Sequence, residues 1–210
     1  MEQVDILAPP DFTPTGKVKT RNQAQKDGDW LGTFNLWILT RDPEPAIIYQ
    51  QRSLKKDWAP GKLDVAAGGY YGHGEALLDG LREASEELGV TINADHVKAV
   101  GRKLFVGVTG DGTIIHKVVD VYLAEESWPL STYNLQPSEV DGIYALPVRE
   151  LLKMHRDEHY SFNAVGLNLH GEPVSTIVVQ SAFPTDMDHY HYKMAILADR
   201  YFKGEADLLY

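Results

Sequence analysis

Glu83, Glu86 and Glu87 stand at i, i+3 and i+4 in the segment 69–90. Residues three and four apart are neighbours on a helix surface, so a helix here gathers three carboxylates on one side. Leu77, Leu81, Ala84 and Leu88 recur at the complementary spacing and predict the face to be buried. Like charges at these spacings destabilise an isolated helix by roughly 0.2–0.5 kcal/mol per pair. A hard divalent cation, Mg²⁺ or Mn²⁺, is the candidate to offset that repulsion, and such a cation can bridge phosphate oxygens and activate a water. A solvated acidic face is the bland alternative. The flanking glycines and the Arg82-Glu83 pair weigh against it.

A second stretch, residues 51–64, places Arg52, Lys55, Lys56 and Lys62 shortly before the carboxylates. Pro60-Gly61 turns the chain back towards them. Arg52 and Lys56 are the candidates to hold a diphosphate that the metal also grips. On charge alone, a solvated basic loop is the better reading of this stretch.

The order Gly69, Glu75, Arg82, Glu83, Glu86, Glu87, Gly89, Val90 resembles the Nudix box, G-x5-E-x7-R-E-U-x-E-E-x-G-U, where U is bulky and aliphatic. Two departures stand out. Six residues rather than seven separate Glu75 from Arg82, and Ala84 takes the first U position. The slip precedes the Arg-Glu-x-x-Glu-Glu core, which it leaves intact, but it leaves Glu75 without an assigned role. The resemblance implies that Glu86 and Glu87 are metal ligands and that Glu83 is a further ligand or the base that takes a proton from water. It implies that the carbonyl of Gly68 completes the shell and that Arg82 orients Glu83 or Glu75 by a guanidinium–carboxylate pair.

The order Gln51-Arg52-Ser53, Lys56-Asp57, Pro60-Gly61, Leu63-Asp64 is similar to a Nudix branch close to isopentenyl-diphosphate isomerases, in which the Arg and Lys are associated with the diphosphate. The isomerase itself is excluded on its chemistry. It needs a cysteine and a histidine-rich metal site, whereas this chain has no cysteine, Gly68 at the cysteine position, and Ala24, Leu31 and Tyr70 where histidines belong. Related sequences often carry a glutamate five residues before Tyr122, and here that position is Lys117, which binds no divalent metal while protonated. Asp120 lies on the other side of a strand from it, and Glu139 is the alternative carboxylate from a later loop. A Nudix domain kept for ligand sensing or protein contact is therefore the rival reading. Retention of Arg82, Glu83, Glu86 and Glu87 together argues for turnover.

Positioning these residues takes strands and helices in alternation. Residues 4–7 and 17–20 predict a hairpin about a turn at Pro14 to Gly16. Residues 30–40 are rich in aromatic and β-branched side chains and pair with 46–51 across Asp42-Pro43-Glu44-Pro45. Glycines 68, 69, 72 and 74 precede a helix over 76–88, and 97–108 with 113–123 predict a second hairpin. Helices are expected from Pro147 to Met154 and over 187–203, the latter with Tyr190, Met194, Leu197 and Tyr201 on its apolar face. The expected class is α/β. The resemblance implies the Nudix α/β/α sandwich about a mixed sheet, as a single domain 1–210 with its core at about 30–155. Residues 1–29 then form an N-terminal hairpin extension and 156–210 a C-terminal helix extension.

Composition sets limits on partners. A 43% hydrophobic, 24% charged chain of 210 residues suits one globular enzyme domain. There is no bilayer-length apolar run and no basic signal-peptide start, and the absence of cysteine suits a cytoplasmic setting. A net charge of −10 opposes binding to nucleic acid and anionic membranes, so an anionic substrate needs a metal or a local basic patch. Dimerisation is common in the family that the chain resembles, which makes a homodimer a candidate assembly, although the sequence itself shows no dimer surface. Of the remaining residues, His189 and His191 at i, i+2 point apart and do not read as a zinc pair. His73 reads as a loop residue and His116 as strand surface. Tyr70, Tyr71, Trp30, Trp37 and Trp58 are either pocket walls or core, core being the commoner fate.

Overall fold

A computed structural model of the chain describes residues 2–185 and 188–210, with only the backbone of Leu77 and Leu78. Its first elements are β1 (Gln3–Ala8), β2 (Thr13–Thr20) and α1 (Arg21–Lys26). They are followed by β3 (Trp30–Thr40), β4 (Ala46–Arg52), β5 (Leu63–Asp64) and β6 (Ala67–Tyr70). Next come α2 (Leu77–Gly80), α3 (Arg82–Leu88), β7 (Val97–Val108), β8 (Ile114–Glu125) and β9 (Val140–Pro147). The chain closes with α4 (Val148–Arg156), β10 (Phe162–Asn168), β11 (Pro173–Val178) and α5 (Tyr190–Phe202).

β3 organises the sheet. Along its length it pairs in parallel with β8, from Trp30 opposite His116 to Leu39 opposite Glu125. On its other side the partner changes: Thr33 to Leu36 pair antiparallel with β6, while Ile38 to Thr40 pair antiparallel with β4. β4 and β6 therefore splay apart, and β5 leaves with β4 by pairing Asp64 to Gln50. That splay opens the cavity described below.

Alternation along β3 sorts the core into two layers. Phe34, Leu36 and Ile38 face α3 and pack with Ala84, Leu88 and Tyr122. Trp37 and Leu39 face the other way and pack with Val119, Val121 and Leu123 beneath α4 and α5. Helices cover both faces, giving an α/β/α sandwich with a mixed sheet. At the edges, β1 extends the sheet beside β3, and β10–β11 extends it beside β9.

Several expectations are corrected. The first hairpin turns at residues 9–12, and Pro14 and Gly16 lie inside β2, opposite a register shift between Asp5 and Leu7. The helix expected over 76–88 is two short helices meeting at Leu81. Gly80 abuts Phe34 so closely that a Cβ there would meet the ring at 2.8 Å, and the Ala84 amide bonds the Leu81 carbonyl three residues back. Gly89, with φ of 67°, ends α3 in the left-handed conformation. Leu81, Ala84 and Leu88 are buried as expected, while the side chain of Leu77 lies outside the described residues. The last helix starts at Tyr190, and its expected start at Met187 lies outside the described residues. The hairpin β10–β11 has no counterpart among the elements expected from the sequence, because apolar Val165 and Ile177 sit at its exposed positions and blur the alternation.

Candidate active site

The splay between β4 and β6 opens into a cavity of about 640 Å³. Glu83, Glu86 and Glu87 of α3, Gly68 and Gly69 of β6, Gln50 and Arg52 of β4, and Lys56 and Glu139 from loops all line it. Both residue sets expected from the sequence thus meet in one space, although they lie on different elements. β6 comes very close to α3: a Cβ at Gly69 would meet the Glu83 carboxylate at 2.9 Å. This contact explains why glycine stands at the start of the segment.

The three glutamates have different environments. Glu87 is 8% exposed, and its Oε2 accepts from Gln50 Nε2 at 3.3 Å. Burial, reinforced by the charges of Glu83 and Glu139, pushes its carboxyl up to about 8. Burial also raises Glu83, against the hydrogen bond from Arg82. Glu86 is exposed. Arg82 ties the group together: its guanidinium reaches Glu75 at 2.7 Å, Glu86 at 3.0 Å and Glu83 at 3.4 Å. Arg82 does not line the cavity, so it is a positioning residue and not one in contact with the reacting atoms. Glu75 also accepts from the Gly72 amide at 2.8 Å, and the shortened spacing does not prevent its pairing with Arg82.

On the basic side, Arg52 Nε donates to the Trp58 carbonyl at 3.0 Å, and its guanidinium lies 5.0 Å from the Trp58 ring centroid. Its Nη1 is 3.4 Å from Asp64, whose carboxyl is raised by burial and lowered again by Arg52. In the β4–β9 pairing the register shifts between Gln51 and Arg52, where Asp141 is the extra residue of β9, so the irregularity beside Arg52 is a bulge of β9. Lys56 is ion-paired with Glu139. Asp120 is off the cavity, held by Arg102 at 2.7 Å and Tyr71 at 3.3 Å, which leaves Glu139 as the later carboxylate that reaches the site.

Among the described residues, no three His, Asp or Glu side chains are already gathered as a metal cluster. Glu83 and Glu86 are drawn to Arg82, and Glu87 to Gln50. The donor set nevertheless fits a hard cation. It consists of carboxylate oxygens, one of them buried, beside Gln50 Oε1, which is buried with no hydrogen-bond partner among the described residues.

Gln50 was missed in the sequence, as was any role for Asp64. The usable signal was strand alternation, which puts Gln50 on the same face as Arg52. Trp58 and Tyr70 are cavity walls, whereas Trp37 is core and donates to the Tyr190 hydroxyl at 2.8 Å. Tyr71 packs on Phe34, and Trp30 packs on Phe12 and His116. His73 is pinned to Asp5 at 2.9 Å, away from the cavity. His191 is buried against Trp37 and Tyr49, and His189 caps α5.

No protein-family model matches the chain. An uncharacterized Nudix hydrolase of Clostridium acetobutylicum is 30% identical over 139 residues, covering 64% of this chain and 66% of that protein. Nudix hydrolase 3 of Arabidopsis thaliana is 34% identical over 140 residues, covering 65% of this chain and 18% of that protein. Both alignments leave a third or more of the relative unmatched. A solved structure from Deinococcus radiodurans shares the fold, with a TM-score of 0.52 at 20% identity over 74% of this chain and 89% of its own. The chain belongs to the Nudix hydrolase family, with the sandwich and mixed sheet of that fold. Among the described residues, no helix is long and apolar enough to cross a membrane.

Proposed function

We propose that this protein is a metal-dependent pyrophosphohydrolase that cleaves the diphosphate linkage of a nucleoside-diphosphate derivative or similar organic diphosphate. The observation that carries the reading is the meeting of Glu83, Glu86 and Glu87 with Arg52 and Lys56 in one cavity. Glu83, Glu86, Glu87 and the Gly68 carbonyl would hold Mg²⁺ or Mn²⁺, which when bound neutralises charge on the phosphate oxygens and lowers the pKa of water. Arg52 and Lys56 orient the diphosphate. Arg52 is preorganised for this by Trp58 and Asp64, while Lys56 must exchange Glu139 for the substrate. Glu83 or Glu87, once deprotonated, accepts the proton of the attacking water. Arg82 keeps Glu83 and Glu86 beside the cavity.

A panel of nucleotide sugars, dinucleoside polyphosphates, coenzymes and isoprenoid diphosphates tests the proposal, each incubated with Mg²⁺, Mn²⁺ or a chelator. Metal-dependent release of phosphate or a nucleoside monophosphate from one class is the expected result. The rival, a ligand-sensing or protein-binding module, draws support from Lys117 in place of an acid. It predicts thermal stabilisation by a panel member with no turnover of any.

A further inference from the structure

The cavity continues past Arg52 to a lysine that the proposed hydrolysis does not use. Lys117 of β8 lies among three rings, with its Nζ 5.0 Å from the centroid of Tyr70, 5.4 Å from Phe105 and 6.0 Å from Trp58. These rings and Lys117 all line the cavity. The other cavity-lining cations each have a carboxylate: Arg52 has Asp64, Lys56 has Glu139, Lys103 has Asp188, and Arg21 has Glu2. Lys117 has no hydrogen-bonded or ion-paired partner among the described residues.

Its surroundings disfavour its charge. Burial acts first, and Arg52, Arg21 and Lys56 repel it, while Asp64, whose carboxylate favours the charge, is already engaged by Arg52. Ring faces attract a cation, but they supply no counter-charge. Folding gains nothing from holding an ammonium group there that a methionine of similar length would not supply more cheaply. A ligand that brings an anion to Lys117 supplies the missing counter-ion, and a planar group carried beside that anion gains ring faces to stack on.

We propose that Lys117 forms a second anion-binding position in the cavity, beyond Arg52 and Lys56. It would receive a phosphoryl group carried on a ring-bearing half of the substrate, remote from the diphosphate that is cleaved. The inference rests on the diphosphate reading above for which half of the molecule lies where. The substrate class that follows is an organic diphosphate whose nucleoside part bears an additional phosphate.

Calorimetric binding of matched pairs differing by one remote phosphate tests this: NADP against NAD, and coenzyme A against dephospho-coenzyme A. A chelator is present, so neither metal nor turnover contributes. The wild type should bind the phosphorylated member of at least one pair about tenfold or more tightly, the expected effect of one charge-assisted hydrogen bond. Lys117→Met should bring that ratio close to one without lowering the Tm, and Lys117→Arg should retain part of it. A wild type with no preference in either pair overturns the proposal. So does a Lys117→Met variant that keeps the wild-type ratio, or one that loses Tm while keeping it, which would mark a structural lysine. If Lys117→Met does not fold, Lys117→Gln takes its place under the same criteria. A preserved preference in a protein that hydrolyses nothing on the panel would remove the hydrolase reading and leave the Lys117 position standing.

Discussion

The side-chain amide of Gln50 donates to the carboxylate of Glu87 across 3.3 Å, linking the inner end of β4 to α3 at the floor of the cavity. Glu87 is the most secluded of the three box glutamates, and this bond fixes which way its carboxylate points. Partners that orient a ligand typically contribute 10–100-fold to metal affinity. Gln50→Leu should therefore weaken Mn²⁺ binding by about that factor, measured by calorimetry, with little change in fold. Unchanged affinity would show that Gln50 only fills space.

The secluded position of Glu87 sets a pH dependence. Burial first, and the charges of Glu83 and Glu139 next, raise its carboxyl from 4.5 to about 8. Between those values the folded state keeps a proton that the unfolded state has released. Stability from this group is thus fully present below pH 4.5 and is lost as pH rises through about 8. In metal-free denaturant titrations the wild type should lose stability relative to Glu87→Gln across that window. The stabilisation given by Mg²⁺ should grow across the same window, since the cation must displace the proton. A pH-independent difference between the two proteins would contradict the assignment.

Arg82 holds three carboxylates while remaining outside the cavity. Lysine keeps the charge but has no planar fork. Arg82→Lys should therefore lower kcat and metal affinity by roughly 10–100-fold, with KM for the diphosphate little changed. Arg82→Ala should go further in the same direction. A large rise in KM with kcat preserved would instead place Arg82 against the substrate.

Arg52 and Asp64 are coupled. Removing one member of a buried pair typically costs about 3–5 kcal/mol, because the other charge is left uncompensated. Arg52→Met should be strongly destabilised, and Arg52→Met combined with Asp64→Asn should recover most of the loss. KM for the diphosphate should stay raised in both variants. Recovery of KM in the double variant would mean that Arg52 serves Asp64 rather than the substrate.

The parts of this architecture visible in the sequence are those set by local pattern. The carboxylates of α3, the long strand β3 and the β7–β8 hairpin all follow from spacing and composition. The parts that were hidden depend on distant pairings. Asp64 meets Arg52 only because β5 pairs with β4, and Gln50 meets Glu87 only because α3 crosses the splay between β4 and β6. The rings around Lys117 come from the loop after β4, from β6 and from β7, and no spacing rule relates them. The break between α2 and α3 turns on one contact, Gly80 against Phe34, between residues far apart in the chain.

The central claim is that Glu87 and its neighbours drive metal-dependent attack of water on phosphorus. The most direct measurement takes the best diphosphate from the panel and follows its cleavage in ¹⁸O-labelled water, with and without Mg²⁺, by the wild type and by Glu87→Gln. The account predicts Mg²⁺-dependent cleavage by the wild type with the label in a phosphoryl product, and a rate for Glu87→Gln lower by about 10²–10⁴-fold. Equal rates for the two proteins, or cleavage indifferent to Mg²⁺, would contradict it.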